Sequence, residues 1–301
     1  MSSILKKAFT LIELLVVIAI IGILSGLIIV GMNGMTRQAS IAKSQIFNNS
    51  LRNSLMNNVA ADIPLDGSAE DIWNHNTSIT TIATPTAQAN SNCIQNTCYS
   101  FDGTGAFLLA DNAKYVVTNQ MTAMVWVKGA SQASKAVFSH WGASGQREWA
   151  ILSGASNGYL EVIISDDGIA STKDRTSTSA APFDGNWHLV GFTLAAGTTG
   201  NLTLYVDGVS AAAGGTDGTI TAIDDTTTSA LALACTPSAA TTCTAGTYFT
   251  GLLDSARFYD VVIPTSQIKE LYFAGLNNLF AKGQITTQEY AERIISVGIN
   301  N

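Results

Sequence analysis

The sequence predicts an α+β chain: a long N-terminal transmembrane helix, then an antiparallel β-sandwich and a short C-terminal helical hairpin. Three observations predict it. Residues 9–32 contain only three polar residues, Thr10, Glu13 and Ser25. Residues 61–275 break into short apolar runs separated by Gly, Asp, Asn and Ser turns. Residues 276–301 carry two short helix-like patterns on either side of Gly283.

The first run, FTLIELLVVIAIIGILSGLIIVGM, would form roughly 36 Å of helix, more than the roughly 30 Å hydrocarbon core of a bilayer. Lys6 and Lys7 precede it and no acid flanks it, so the short N-terminus stays cytoplasmic and the remainder goes out. A secretory signal peptide is the obvious competitor, but its apolar core is shorter and ends at a small-x-small site. A plain anchor leaves Glu13 unexplained, because an ionised carboxylate at bilayer depth costs several kcal/mol.

The stretch KKAFTLIELLVVIAIIGIL resembles the prepilin signal of type IV pilins and pseudopilins. The resemblance implies that residues 1–8 are a leader. It implies that a prepilin peptidase cuts between Ala8 and Phe9 and then N-methylates Phe9. Ala8 departs from the pattern, which usually has Gly before the cut. The resemblance also implies that Glu13 pairs with the Phe9 amine of a neighbouring subunit. A fixed cation removes much of the cost of a carboxylate in lipid, and such a pair rewards correct register between packed helices. The implied partners are other pilin subunits, the prepilin peptidase and the inner membrane, followed by an extracellular or periplasmic filament.

Beyond the apolar run, Ile41, Ile46–Phe47, Leu51, Leu55–Met56 and Val59 recur at helical spacing. This predicts an amphipathic stalk continuous with the apolar helix over 9–60. Gly31 and Gly34 permit a bend, and Pro64 marks the end of the helical region. The net charge of −7 would become −9 on loss of Lys6 and Lys7 with the leader. That balance argues against a nucleic-acid partner, which requires basic stripes.

Candidate strands are MTAMVWV (121–127), KAVFSHW (135–141), EWAILS (148–153), YLEVIIS (159–165), WHLVGFTL (187–194), LTLYVDG (202–208) and LLDSARFYD (252–260). In LTLYVDG, Leu202, Leu204 and Val206 alternate with Thr203, Tyr205 and Asp207, the pattern of a half-buried strand. Many such runs without intervening helices form a sandwich. The cysteines form two close pairs, Cys93 with Cys98 and Cys235 with Cys243, each read as a disulfide clipping a loop outside the cytoplasm. The alternative is a zinc site of four thiolates, and neither pair has C-x-x-C spacing.

YSFDGTGAFLLAD (99–111), MTAMVWVKG (121–129), FDGNWHLVGFTL (183–194), LTLYVDGV (202–209) and GLLDSARFYDVVIPTSQIKELY (251–272) together resemble the laminin G-like, concanavalin A-like jelly roll. The resemblance implies one sandwich over 61–275. It implies a structural Ca2+ at Asp254 first, with Asp102 and Asp71, since hard cations need several oxygens. It also implies a glycan or surface-protein ligand, for which Trp141, Trp149 and Tyr159 are the stacking candidates. Trp126 and Trp187 read as core. The three histidines, His75, His140 and His188, carry no catalytic context, and no G-x-S-x-G elbow is present.

Pro264 and Thr265 open a helix that the sequence closes at Gly275. In the tail, 276–301, Leu276, Leu279 and Phe280 make one apolar face, Gly283 stops it, and TTQE (286–289) is a capping box for the next helix. Three functional classes follow: a filament subunit with a binding head, a tethered lectin that never polymerises, and a glycan-active enzyme. The enzyme would need two carboxylates roughly 5 to 10 Å apart.

Overall fold

The computed structural model describes residues 11–23, 25, 46, 50, 55–74, 78–117, 119–155, 157–197, 202–223 and 228–299. In chain order the strands are β1 (Val59–Ile63), β2 (Ile79–Ile82), β3 (Thr86–Gln88), β4 (Cys98–Asp102), β5 (Ala106–Leu109) and β6 (Gln120–Ala130). Then come β7 (Lys135–Trp141), β8 (Arg147–Ser153), β9 (Leu160–Ile164), β10 (Lys173–Ser177), β11 (Asp184–Ala195) and β12 (Leu202–Val206). The last are β13 (Val209–Ala211), β14 (Ala213–Asp217), β15 (Leu231–Leu233), β16 (Pro237–Ala239), β17 (Thr242–Cys243) and β18 (Thr250–Tyr259). One sheet runs β13-β12-β11-β6-β18-β4-β3, with β1 also on β18. The other runs β14-β10-β9-β8-β7-β15-β5-β2, and β16 and β17 form a separate hairpin.

Strand β6 explains the layering. Met121, Ala123, Val125 and Val127 enter the core between the sheets, whereas Met124 and Trp126 enter a second core on the outer face of the first sheet. A strand buried on both faces needs a continuous apolar run, which MTAMVWV supplies. Its neighbour β11 divides the same way, with Val190, Phe192 and Leu194 inward and Trp187 and Leu189 outward. The register sets Trp126 opposite Leu189 and Val125 opposite Val190. Antiparallel pairing throughout both sheets agrees with the predicted sandwich.

Helical structure occurs at both ends. Residues 11–23 form α1; near the C-terminus lie α2 (Thr265–Ala281) and α3 (Thr287–Ile299). Helix α2 lays Ile268, Leu271, Tyr272, Leu276 and Leu279 on the outer core of the first sheet. Each fully buried aliphatic side chain contributes roughly 1.5–3 kcal/mol there. Tyr272 stacks on Trp126 with ring centroids 5.8 Å apart.

Three sequence expectations change. Gly275 does not end a helix; α2 runs through it, so the division at 275/276 falls inside one element. A Cβ at Gly275 would lie 2.2 Å from Cζ2 of Trp126, so the glycine is there for close approach. The helix does end at Gly283, in the left-handed region at φ +72°, where the N–H of Gln284 reaches back to the carbonyl of Leu279 at 2.9 Å. The stalk does not extend to residue 60: Leu55 sits in a turn and Val59 opens β1, both buried in the core under α2. These two apolar residues belong to the head, and their helical spacing with Leu51 is incidental. Finally, α1 as described spans about 20 Å, and among the described residues no helix is long and apolar enough to cross a membrane. Most of 26–54 lies outside the described residues.

One half of the predicted capping box is formed, and the Glu289 carboxylate pairs with Arg293 at 2.8 Å instead of closing the other. Thr286 Oγ1 accepts from the N–H of Glu289 at 3.1 Å and starts α3.

Candidate functional site

The outer faces of the two sheets differ. Helix α2 covers the first. On the second, Leu160, Val162 and Ile164 of β9 face the inter-sheet core, so Glu161 and Ile163 face outward. Ile163 stands opposite Ala150 and Asp174, and Glu161 opposite Leu152 and Thr176. Ala136, Ala150 and Leu152 make a small-residue floor packed against Ile163 and Trp141. Trp141 ends β7 opposite Arg147, whose guanidinium lies 5.6 Å from the indole centroid. Arg147 also donates to the carbonyl of Ile169, tying the 166–170 loop to this rim. The exposed side chain of Ile169 stands at that loop.

Glu161 and Asp174 form the acidic feature of this face. Burial, the charge of Asp174 and a hydrogen bond with it push the Glu161 carboxyl up to about 7. Oε2 of Glu161 is buried with no hydrogen-bond partner. Glycoside hydrolysis with retention uses carboxylates about 5 Å apart. Sequence reading missed the pair because its members lie on different strands and only the β9–β10 register joins them.

Of the predicted stacking residues, Trp141 is half-buried on this rim and Tyr159 is half-buried at the entry to β9. Trp149 corrects the expectation. It is 0% exposed, packed edge-on to Phe138 with centroids 5.0 Å apart and tilted against Phe258 at 5.0 Å. Alternation along β8 turns it into the core, where no sugar reaches it.

The predicted calcium residues are not brought together. Asp71 is buried and accepts from the N–H groups of Asp62 and Trp73, each at 3.0 Å, and from the Tyr115 hydroxyl at 3.1 Å. Asp102 closes an exposed turn, accepting from the N–H and hydroxyl of Thr104 at 2.9 and 2.7 Å; the hydroxyl and N–H of Thr104 hold its carboxyl below the usual range. Asp254 is buried beside the Cys93–Cys98 loop. Its Oδ2 accepts from the N–H groups of Ile94 and Gln95 at 2.8 and 3.1 Å, and Ser255 Oγ donates to Oδ1 at 2.9 Å. Burial pushes Asp254 up to about 7 against the pull of those donors. Each carboxylate accepts from protein donors in its own place, and the three form no common oxygen cage for a hard cation.

Both disulfides are present, Cys93–Cys98 and Cys235–Cys243. The second clips the β16–β17 hairpin, and Cys235 packs with Ala106, Leu108, Ala230 and Ala232 of the second sheet. His140 is fully buried and paired with Glu148, while its Nε2 meets the carbonyl of Ser229 at 3.0 Å. Burial pulls it down, but Glu148 outweighs this and its pKa is raised. His188 is bracketed by Asp207 at 2.7 Å and Asp184 at 3.1 Å. Both histidines hold structure. Glu13 lies on α1, with Leu11 83% and Ile12 71% exposed beside it; Ala8 and Phe9 lie outside the described residues.

Comparison with known proteins decides the family. Residues 101–269, more than half of the chain, match the family model described as Laminin_G_3, concanavalin A-like lectin/glucanases superfamily. The chain belongs to that superfamily. Residues 5–29 separately match the prokaryotic N-terminal methylation motif. The lectin-like head is similar to domain 4 of AbnA, a GH43 extracellular arabinanase from Geobacillus stearothermophilus, solved with arabinotriose. That likeness has a TM-score of 0.53 at 16% identity, over 71% of this chain and 98% of that one. It is also similar to the binding domain of Paraclostridial Mosquitocidal Protein 1, at TM-score 0.51 and 12% identity, over 72% of this chain and 52% of that one. The binding domain of botulinum neurotoxin DC in complex with SialylT gives 0.50 and 8%, over 71% and 50%. At these identities the likeness concerns the fold. No curated protein matches the chain by sequence.

Proposed function

We propose that this chain is a pilin or pseudopilin subunit of a type IV pilus-like or type II secretion-like filament, with its lectin-like head displayed for adhesion. The carrying observation is the union of a methylation motif at 5–29 with a lectin-like head at 101–269. In this reading the apolar segment from Phe9 first holds the chain in the inner membrane with the head outside. After cleavage at Ala8–Phe9 it packs into the filament core, where Glu13 meets the Phe9 amine of the adjoining subunit. The exposed apolar side chains of α1 support a partner outside the chain.

The head binds a glycan or a surface protein on the outer face of β7–β10, between Trp141, Tyr159 and Ile163. Support comes from two fold neighbours, domain 4 of AbnA solved with arabinotriose and a neurotoxin binding domain solved with SialylT. Mass spectrometry of the mature protein tests the filament pathway: N-methyl-phenylalanine at Phe9 is expected, and an intact leader reduces the chain to a tethered lectin. Glycan-array binding tests the face. Trp141→Ala should weaken binding by about three- to tenfold, the loss of an aromatic contact worth ~0.5–1.5 kcal/mol; unchanged binding places the ligand elsewhere.

A further inference from the structure

At Asp254, where the sequence expects calcium, the structure supplies sulfur neighbours. The Sγ atoms of Cys93 and Cys98 and a carboxylate oxygen of Asp254 all lie within 4.8 Å of one another. All three residues are fully buried. Calcium takes six to eight oxygens. Two sulfurs and one oxygen suit a borderline-soft divalent ion such as Zn2+. The four-residue spacer between the cysteines is within the range that zinc-binding cysteine pairs use.

In the oxidised chain the sulfurs are bonded to each other. Other bonds hold the loop in the same place. Asp254 accepts from Ile94 and Gln95, as described above. Asp66 accepts from the N–H of Thr97 at 3.1 Å and the amide of Asn96 at 2.7 Å. Lys282 and Gln284, from the turn between α2 and α3, donate to the carbonyl of Cys93 at 2.8 and 2.9 Å. Trp187 Nε1 donates to the carbonyl of Asn92 at 3.0 Å. With so many anchors apart from the S–S bond, the two cysteines stay close to Asp254 once that bond opens.

We propose that the reduced chain binds one zinc-class divalent cation between the thiolates of Cys93 and Cys98 and the carboxylate of Asp254. A phosphine supplies two electrons and leaves as its oxide, while one water gives the oxide its oxygen and the two sulfurs their protons, converting the S–S bond to two thiols. The incoming cation then displaces those two protons to solvent and binds the thiolates. Two thiolates and one carboxylate leave one negative charge after the dication binds, and the Lys282 ammonium stands beside it. The cation keeps the clasp closed in a chain that has not been oxidised.

The test uses the full chain carrying Cys235→Ser and Cys243→Ser, so that only one cysteine pair remains. It is reduced with tris(carboxyethyl)phosphine without oxygen and titrated with Co2+. The expected result is one Co2+ per chain with a thiolate-to-cobalt charge-transfer band, displaced by Zn2+ and absent from the oxidised chain. Adding Cys98→Ser should abolish the band. Asp254→Asn should weaken binding by at least about tenfold, since loss of an outer-shell partner already costs that much. A reduced chain that keeps its near-ultraviolet circular dichroism but shows no band overturns the proposal. So does a band that survives Cys98→Ser, or an affinity indifferent to Asp254→Asn. Should Asp254→Asn unfold, Cys98→Ser decides alone.

Discussion

Helices α1 and α2 are both rich in apolar residues, yet they end in opposite situations. α2 sets Ile268, Leu271, Tyr272, Leu276 and Leu279 against a sheet of its own chain. α1 leaves Leu11, Ile12, Ile18 and Ile23 more than half exposed. Apolar surface of that extent on a helix is stable only against lipid or another protein. The head is complete without α1, whereas it is not complete without α2. The contrast separates a part that folds the domain from a part that connects the domain to something else.

Glycine substitutions expose this contrast most strongly. Gly275→Ala would drive a Cβ into the Trp126 indole and should cost the head about 2–3 kcal/mol in urea unfolding. Gly22 of α1 has nothing within 4 Å of its would-be Cβ. Gly22→Ala should therefore leave head stability within about 0.5 kcal/mol of the parent. Equal effects at the two positions would break the comparison.

The outer faces of the sheets repeat the contrast at smaller scale, one covered by the helix α2 and the other by its own half-buried side chains, Trp141 and Ile163 among them. On that second face the folded chain holds a proton on Glu161 between its ordinary value of 4.5 and about 7, which the unfolded chain has already released. Stability should therefore fall as pH rises across that window. Glu161→Gln keeps a neutral partner for Asp174 and should flatten the slope. The gain at pH 8 is about 1 kcal/mol, discounted for water's access to this half-buried group. Thermal melts from pH 5 to 8 measure it; a parallel slope in both proteins contradicts the raised Glu161 carboxyl.

The legible parts of the sequence were those where local pattern and tertiary role agree. Strands β6, β7, β8 and β11 announce themselves because burial on both faces demands unbroken apolar runs. The TTQE box is readable because a cap is a local hydrogen bond. Strands β10 and β14, KDRTS and AGGTD, are not readable, since they hold by register on a neighbour and have few apolar residues. Even the buried Lys173 of β10 is satisfied by Asp217 across that register, at 2.6 Å. Gly275 was misread because a helical glycine usually marks an end; here its reason lies on another element. The same holds for the site. Trp141 was legible as an aromatic near a strand end. The Glu161–Asp174 pair and the grouping of Cys93, Cys98 and Asp254 are made by topology alone, although the alternation of Leu160, Val162 and Ile164 would have placed Glu161 outward.

The central claim is that α1 exists to polymerise, and Glu13→Ala tests it most directly. Membrane fractionation and electron microscopy of cells expressing the variant would be compared with the parent. The account predicts normal membrane insertion and a processed N-terminus at Phe9, with filaments absent. Filaments of normal number and length from the Glu13→Ala chain would contradict it.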